Sequence, residues 1–314
     1  MVALVTPAVV AADRATWRVR IALLTMVAFF GGSLPAYKIA SRSFGPATTN
    51  LGRFVVAATV LTFAGRRQIA TAIGQRRRLL VIGAFGIGLM ALFLGAGVDK
   101  GSATIGSIVV GLEPLGVALA GVMLVGDTPT RKSIIALVVG FFGAIVASGV
   151  FTEHTGPSPV APMILLFGTV LTFSVYTAFV RRARQGVQPL AVAAITQVGA
   201  LAFVIPASLF DVAGGGMLRG ASIQPKAAIA VIFLGIGSAI AYLLLCSVLA
   251  SQPSSRVAVS MYLTPLVGVL ASWLVVGEKL HVRDAVGGAL VLLAIWISER
   301  SGRRRASLVQ SVVG

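Results

Sequence analysis

Apolar runs alternate with short polar punctuation along the whole chain. Ten runs approach the roughly 20 residues a helix needs to cross a bilayer's hydrocarbon core: 20–40, 46–64, 79–97, 102–125, 133–150, 157–180, 189–210, 227–249, 256–276 and 285–298. The last is short and is expected to extend at both ends. Only helices and closed β-barrels satisfy the backbone in lipid. Barrel strands would alternate in polarity over about ten residues, and these runs do not, so the pattern predicts an all-α integral membrane protein. The first run ends without an A-x-A-like cleavage site, and nine more follow it, so it reads as a spanning helix rather than a signal peptide.

Composition sharpens this picture. Of 314 residues, 57% are hydrophobic and only 11% charged, with a mean hydropathy of +0.97. A soluble domain carries about a quarter charged residues, so a cytosolic enzyme, a disordered regulator and a secreted disulfide scaffold are excluded. The single cysteine, Cys246, has no intrachain partner, and no Cys/His spacing fits a metal. No metal, haem or other cofactor is expected.

The net charge of +17 raises the question of nucleic acid, and the distribution of charge answers it. With ten spans, 18 of the 26 basic residues fall on the side of the two termini, in small loop clusters such as Arg76, Arg77 and Arg78. Loops rich in Lys and Arg stay in the cytoplasm. The charge therefore orients the chain, with the 1–19 and 299–314 tails inside, and a nucleic-acid role is not expected.

The chain also repeats itself. The 112–127 block LEPLGVALAGVMLVGD aligns without gaps on the 263–278 block LTPLVGVLASWLVVGE, with Pro114 on Pro265, Gly126 on Gly277 and Asp127 on Glu278. Each half, 20–150 and 157–298, then holds five spans. An odd number of spans forces the halves into opposite orientations. Inverted repeats are typical of secondary transporters, whose substrate site lies near the midplane where the repeats meet.

These features resemble the EamA-type drug/metabolite transporters. The resemblance rests on Phe30-Gly-Gly-Ser-Leu-Pro-Ala-Tyr-Lys38 in the first span, Arg53 early in the second and the Pro-then-Gly-acidic blocks of spans four and nine. It also rests on Phe173-Ser-Val-Tyr-Thr-Ala-Phe-Val-Arg-Arg182 closing span six. Gly31-Gly32 stands where the family often has Trp-Gly, and Asp127 where it usually has Glu. The resemblance implies a ten-helix carrier of the bacterial inner membrane and points to export of amino acids or related metabolites.

Few residues offer chemistry. Glu113 lies roughly 16 Å along its helix from Ser102 at 1.5 Å per residue, and an ionisable group at mid-membrane is by default a functional hypothesis. Two roles stand open: binding a substrate ammonium or carrying a proton, and pairing structurally with a cation such as Arg53. Thr264 occupies the matching place in the second half. Pro114 and Pro265 each remove a helical hydrogen bond, which makes them kinks and candidate hinges. Arg53, deep in span two, is expected to form a structural pair, with gating the alternative. Lys38 is expected to snorkel to the headgroups. Tyr176, Gln197 and Tyr262 complete the substrate-binding candidates. His154 and His281 fall in predicted outer loops, only one acidic residue is mid-membrane, and no P-loop is present. Catalysis is not expected, and transport must run on a gradient. The expected function is a secondary transporter of small neutral or zwitterionic metabolites, with amino acids first and aromatic or apolar ones favoured. It would move them by alternating access, with a proton or counter-substrate as partner and a monomer as the unit. A sugar-phosphate or nucleotide-sugar exchanger and a passive channel are the alternatives.

Overall fold

A computed structural model describes residues 7–113, 115–117, 120, 131–148, 160–183, 186–214, 218, 223–251, 264–294, 296 and 297. Pro114, Tyr262, Asp127 and the 298–314 tail lie outside the described residues. The described secondary structure is helical apart from one isolated bridge, Phe44 to Leu218. We number the helical segments α1 (Pro7–Ala40), α2 (Pro46–Thr71), α3 (Ile73–Lys100), α4 (Ala103–Val110), α5 (Arg131–Ser148), α6 (Val160–Ala183), α7 (Pro189–Ala213), α8 (Pro225–Ser251), α9 (Thr264–Val276) and α10 (282–294).

Among the described residues, six helices are long and apolar enough to cross a membrane: α1 from Ile21, α2, α3, α6, α7 and α8 up to Ser247. Shorter apolar helices cover α4, most of α5 and α9. The predicted runs and the helices differ most at their ends. α1 begins at Pro7 and α2 continues to Thr71, well beyond the predicted 20 and 64. Hydropathy drops at the exposed Arg66 and Arg67, but backbone hydrogen bonding does not depend on side-chain polarity and carries α2 on to Thr71.

α3 changes geometry along its length. A 3₁₀ turn at Ile73–Gln75 leads into α-helix, then a π-helical stretch at Gly83–Gly88, then α-helix again from Leu89. The stretch Gly-Ala-Phe-Gly-Ile-Gly lies against α7, where a Cβ on Gly88 would come within 2.6 Å of the Ala200 carbonyl. Backbone thus meets backbone, the close packing that small residues permit in membrane bundles.

Two apolar clusters fill the interior. One joins α1, α2, α3, α6, α7 and α8 around Phe54, Leu79, Tyr176 and Tyr242. The other joins the end of α1 and of α3 to α4, α5, α6, the start of α8 and α10 around Leu34, Val109, Leu166 and Val291. Large apolar side chains also face outward, including Phe63, Leu209, Phe210 and Leu274. No soluble monomer would expose them so widely, and lipid is the medium that accepts them.

One end of the bundle is laced by polar ties between helix termini, whose outermost backbone groups lack intrahelical partners. Asp211, in the last turn of α7, accepts from Ala47 N (2.9 Å) and Thr48 N (3.0 Å) at the start of α2. Glu278 accepts from Ala103 N (3.0 Å), Thr104 N (2.9 Å) and Thr104 Oγ1 (2.6 Å) at the start of α4. Gly277, at φ 75°, ends α9 in a left-handed turn, a conformation that favours glycine, and the next residue is Glu278. Lys38 Nζ donates to the carbonyls of Val98 (3.2 Å), Asp99 (3.3 Å) and Gly101 (2.6 Å). This corrects the expectation that Lys38 snorkels to the headgroups. The end of α3 offers unpaired carbonyls at the negative pole of a helix, and the ammonium is spent there.

Candidate functional site

The charged residues of the bundle interior meet where the two apolar clusters adjoin. A cavity of about 30 Å³ is lined by Phe30, Ser33, Arg53, Glu113, Phe173 and Tyr242, together with aliphatic side chains of both clusters. Glu113 is 7% exposed and Arg53 3%.

Glu113 reaches this point because α4 breaks. Regular α4 ends at Val110, Gly111 and Leu112 form a turn, and helical backbone resumes at Glu113. Pro114, next in sequence, has no N–H to continue the ladder. Gly111 abuts the second half: a Cβ there would lie 3.0 Å from Cγ of Pro265. The buried Pro265 and the break of α4 are therefore in direct contact. Among the described residues, the Glu113 carboxylate makes no hydrogen bond or ion pair.

Arg53 is held by hydroxyls and rings. Its Nε donates to Ser238 Oγ at 2.5 Å, and its Nη1 donates to Tyr37 Oη. The guanidinium lies 5.1 Å from the centroid of the Phe54 ring and 5.6 Å from that of Tyr37, within cation–π range. Tyr37 Oη in turn donates to Asn50 Oδ1 at 2.5 Å, and Asn50 Nδ2 donates to the carbonyls of Pro46 and Ala91, both at 2.9 Å. Among the described residues these bonds take two of the guanidinium's five N–H donors, and the Tyr242 hydroxyl is close enough to interact with it.

The expected structural pair between Arg53 and Glu113 is therefore corrected: both line one cavity, yet no ion pair joins them among the described residues. The physical reason lies in the partners on α1, α2 and α8. Tyr37, Ser238 and two ring faces meet the guanidinium's needs from its own side of the cavity. Sequence reasoning missed Ser238, which sits in the small-residue run 235–241. The signal available was a hydroxyl among glycines and alanines, at a depth where an unpaired hydroxyl is costly.

The other candidates fall around this centre. Tyr176 is buried, with its hydroxyl 3.5 Å from Thr196 Oγ1 and its ring centroid 6.0 Å from that of Tyr242. It stands behind Tyr242 rather than in the cavity wall. Among the described residues, the fully buried Gln197 has no partner for its amide oxygen or nitrogen, and the buried Thr264 has none for Oγ1. Tyr242 Oη lies close enough to Arg53 to interact with it but has no well-aligned partner there. Pro114 and Tyr262 lie outside the described residues.

The model of the EamA-like transporter family matches this chain twice, over residues 17–149 and 160–299. The chain belongs to the EamA-like transporter family. A transporter described as uncharacterized from Archaeoglobus fulgidus is 24% identical over 290 residues, covering 89% of this chain and 98% of the relative. A probable terminal-alkyne amino-acid exporter from Streptantibioticus cattleyicolor is 25% identical over 306 residues, covering 93% and 96%. A solved crystal structure superimposes with a TM-score of 0.63 at 19% identity, over 91% of this chain and 98% of the other. At that identity the likeness speaks for the fold alone. The family and its relatives are transporters and not enzymes, so the chain is a multi-pass membrane transporter of small molecules.

Proposed function

We propose that this EamA-like transporter exports small zwitterionic metabolites across the cytoplasmic membrane, foremost amino acids with apolar or aromatic side chains. The observation that carries the reading is two ionisable groups of opposite type, Glu113 and Arg53, which face one space and are not paired with each other among the described residues. A carboxylate suits an α-ammonium, and a guanidinium with donors to spare suits an α-carboxylate. Phe30, Phe173 and Tyr242 offer an apolar, ring-lined remainder for a side chain. The name of the Streptantibioticus relative, an exporter of an amino acid with an apolar alkyne group, agrees with this chemistry.

The carrier works by alternating access between two inverted five-span repeats, ten spans in all, with both termini in the cytoplasm. Two matches of one family model along the chain support the repeat. A cavity of about 30 Å³ has room for a water or two and none for an amino acid. Its closure favours a carrier that must rearrange over a channel. The ties of Lys38, Asp211 and Glu278 hold the outer gate shut in this arrangement. The buried polar atoms of Gln197 and Thr264, unpartnered among the described residues, need water or substrate in a polar-poor interior. Tyr176, Gln197, Tyr262 and Thr264 are accordingly proposed as contacts that the cavity gains as it opens, with Pro114 and Pro265 at the hinges. Glu113 either takes the substrate amine or carries a coupling proton.

Reconstitution in liposomes tests this. Labelled amino acids are expected to show saturable, counterflow-stimulated flux, whose apparent affinity Glu113→Gln and Arg53→Gln lower by about 10- to 150-fold in protein that still inserts. Counterflow with a sugar phosphate and with no amino acid would overturn the substrate class.

A further inference from the structure

A second cavity is larger and more open than the central one. About 640 Å³ lie between α3 and α6, walled mainly by Val81, Ile82, Phe85, Val175 and Phe179, with Tyr176 at the base. Arg77 and Arg78 stand at one end of it. Both are exposed, and neither is bonded to any described residue. The absence of counter-charge extends to the sequence, which has no Asp or Glu from 14 to 98 or from 154 to 210. The groove spans Gly74 to Gly86 on α3, about 18 Å at 1.5 Å per residue. One leaflet of hydrocarbon is about 15 Å deep.

An apolar trough one leaflet long, ending in two guanidinium groups that no described residue pairs, has the shape and polarity of a lipid with a negative head. We propose that the α3–α6 groove binds one anionic phospholipid, an acyl chain lying along Val81, Phe85 and Phe179 and the headgroup phosphate held by Arg77 and Arg78. Guanidinium groups hold phosphate oxygens by charge-assisted, often bidentate bonds. Basic pockets between helices are a recognised setting for anionic headgroups. The glycine-rich π-helical stretch shapes the trough. A Cβ on Gly86 would come within 2.6 Å of Tyr176 Cβ, so Gly86 lets the Tyr176 side chain pack directly on α3 and close the base. That ring also stands 6.0 Å from Tyr242, which lines the central cavity, so the lipid and the central site share a wall.

The test uses the full-length protein in neutral detergent. Native mass spectrometry reads binding of phosphatidylglycerol and of phosphatidylcholine with the same chains. Phosphatidylglycerol is expected to bind more tightly. The Arg77→Ala/Arg78→Ala variant should lose about 30-fold in phosphatidylglycerol affinity and little in phosphatidylcholine affinity. Val81→Trp, which fills the trough, should weaken both lipids. Arg131→Ala/Lys132→Ala, at exposed cations elsewhere, should change neither. Equal binding of the two lipids by the wild type would overturn the site. So would an Arg77/Arg78 variant that binds normally, or an equal loss in the Arg131/Lys132 control. Full phosphatidylglycerol binding by Val81→Trp would reduce the site to surface attraction. Competition by glycerol phosphate as strong as by the lipid would make the ligand a soluble anion.

Discussion

Replacing Glu113 by Gln separates two physical situations that leave different marks on stability. Glu113→Gln keeps the volume and removes the ionisable group. Were Glu113 bonded to Arg53, the change would strand a buried guanidinium and cost about 3–5 kcal/mol, and Arg53→Gln would recover much of that loss. The structure argues otherwise, because Arg53 is bonded to Tyr37 and Ser238 and no described residue pairs with the Glu113 carboxylate. The expected change in stability from Glu113→Gln is therefore under about 1 kcal/mol. In a double-mutant cycle with Arg53→Gln, the coupling should stay under about 1 kcal/mol, at the low end of the range for residues that share a cavity. Binding should respond differently. A lost charge-assisted bond to a substrate amine is worth about 1.5–3 kcal/mol, or roughly 10- to 150-fold in affinity. Thermal unfolding in detergent gives the first quantity, and concentration-dependent counterflow in liposomes gives the second. A loss of about 3–5 kcal/mol in Glu113→Gln, relieved by Arg53→Gln and joined to unchanged transport affinity, would mean that Glu113 is held by Arg53 in a structural pair.

Other perturbations address the scaffold. Glu278→Ala should cost about 1–2 kcal/mol, since two backbone donors and the Thr104 hydroxyl lose their acceptor; an unchanged unfolding temperature would show that the cap contributes nothing. Gln197→Leu removes two buried unpartnered groups and should raise the unfolding temperature while lowering transport, because each such group costs about 1–3 kcal/mol; a less stable protein would mean the amide has a partner. In a Cys246→Ala background, a cysteine at Lys226 should react with a membrane-impermeant thiol reagent in intact cells and one at Arg77 should not, and the reverse pattern would invert the orientation.

Much of this protein is legible in one dimension because lipid is a demanding solvent. A segment must be helical and apolar to lie in it, so the runs at 20–40, 46–64 and 189–210 announce α1, α2 and α7 with no knowledge of their neighbours. Ionisable residues at mid-depth stand out for the same reason, and Glu113 and Arg53 were visible at once. Their relationship was not. Opposite charges at similar depth read as a pair, but pairing depends on which side chains arrive from α1 and α8, and in the fold Tyr37 and Ser238 satisfy Arg53 first. Lys38 near a helix end reads as a snorkelling cation, but three carbonyls of the α3 terminus stand within its reach. Tyr176 reads as a cavity residue, yet Tyr242 stands in front of it. Helix ends blur too, since α2 continues past its apolar run to Thr71. Transfer from water to lipid is a property of each segment alone and is written in its composition. Hydrogen-bond partners, by contrast, are chosen among groups far apart in sequence, and only their meeting in space decides them.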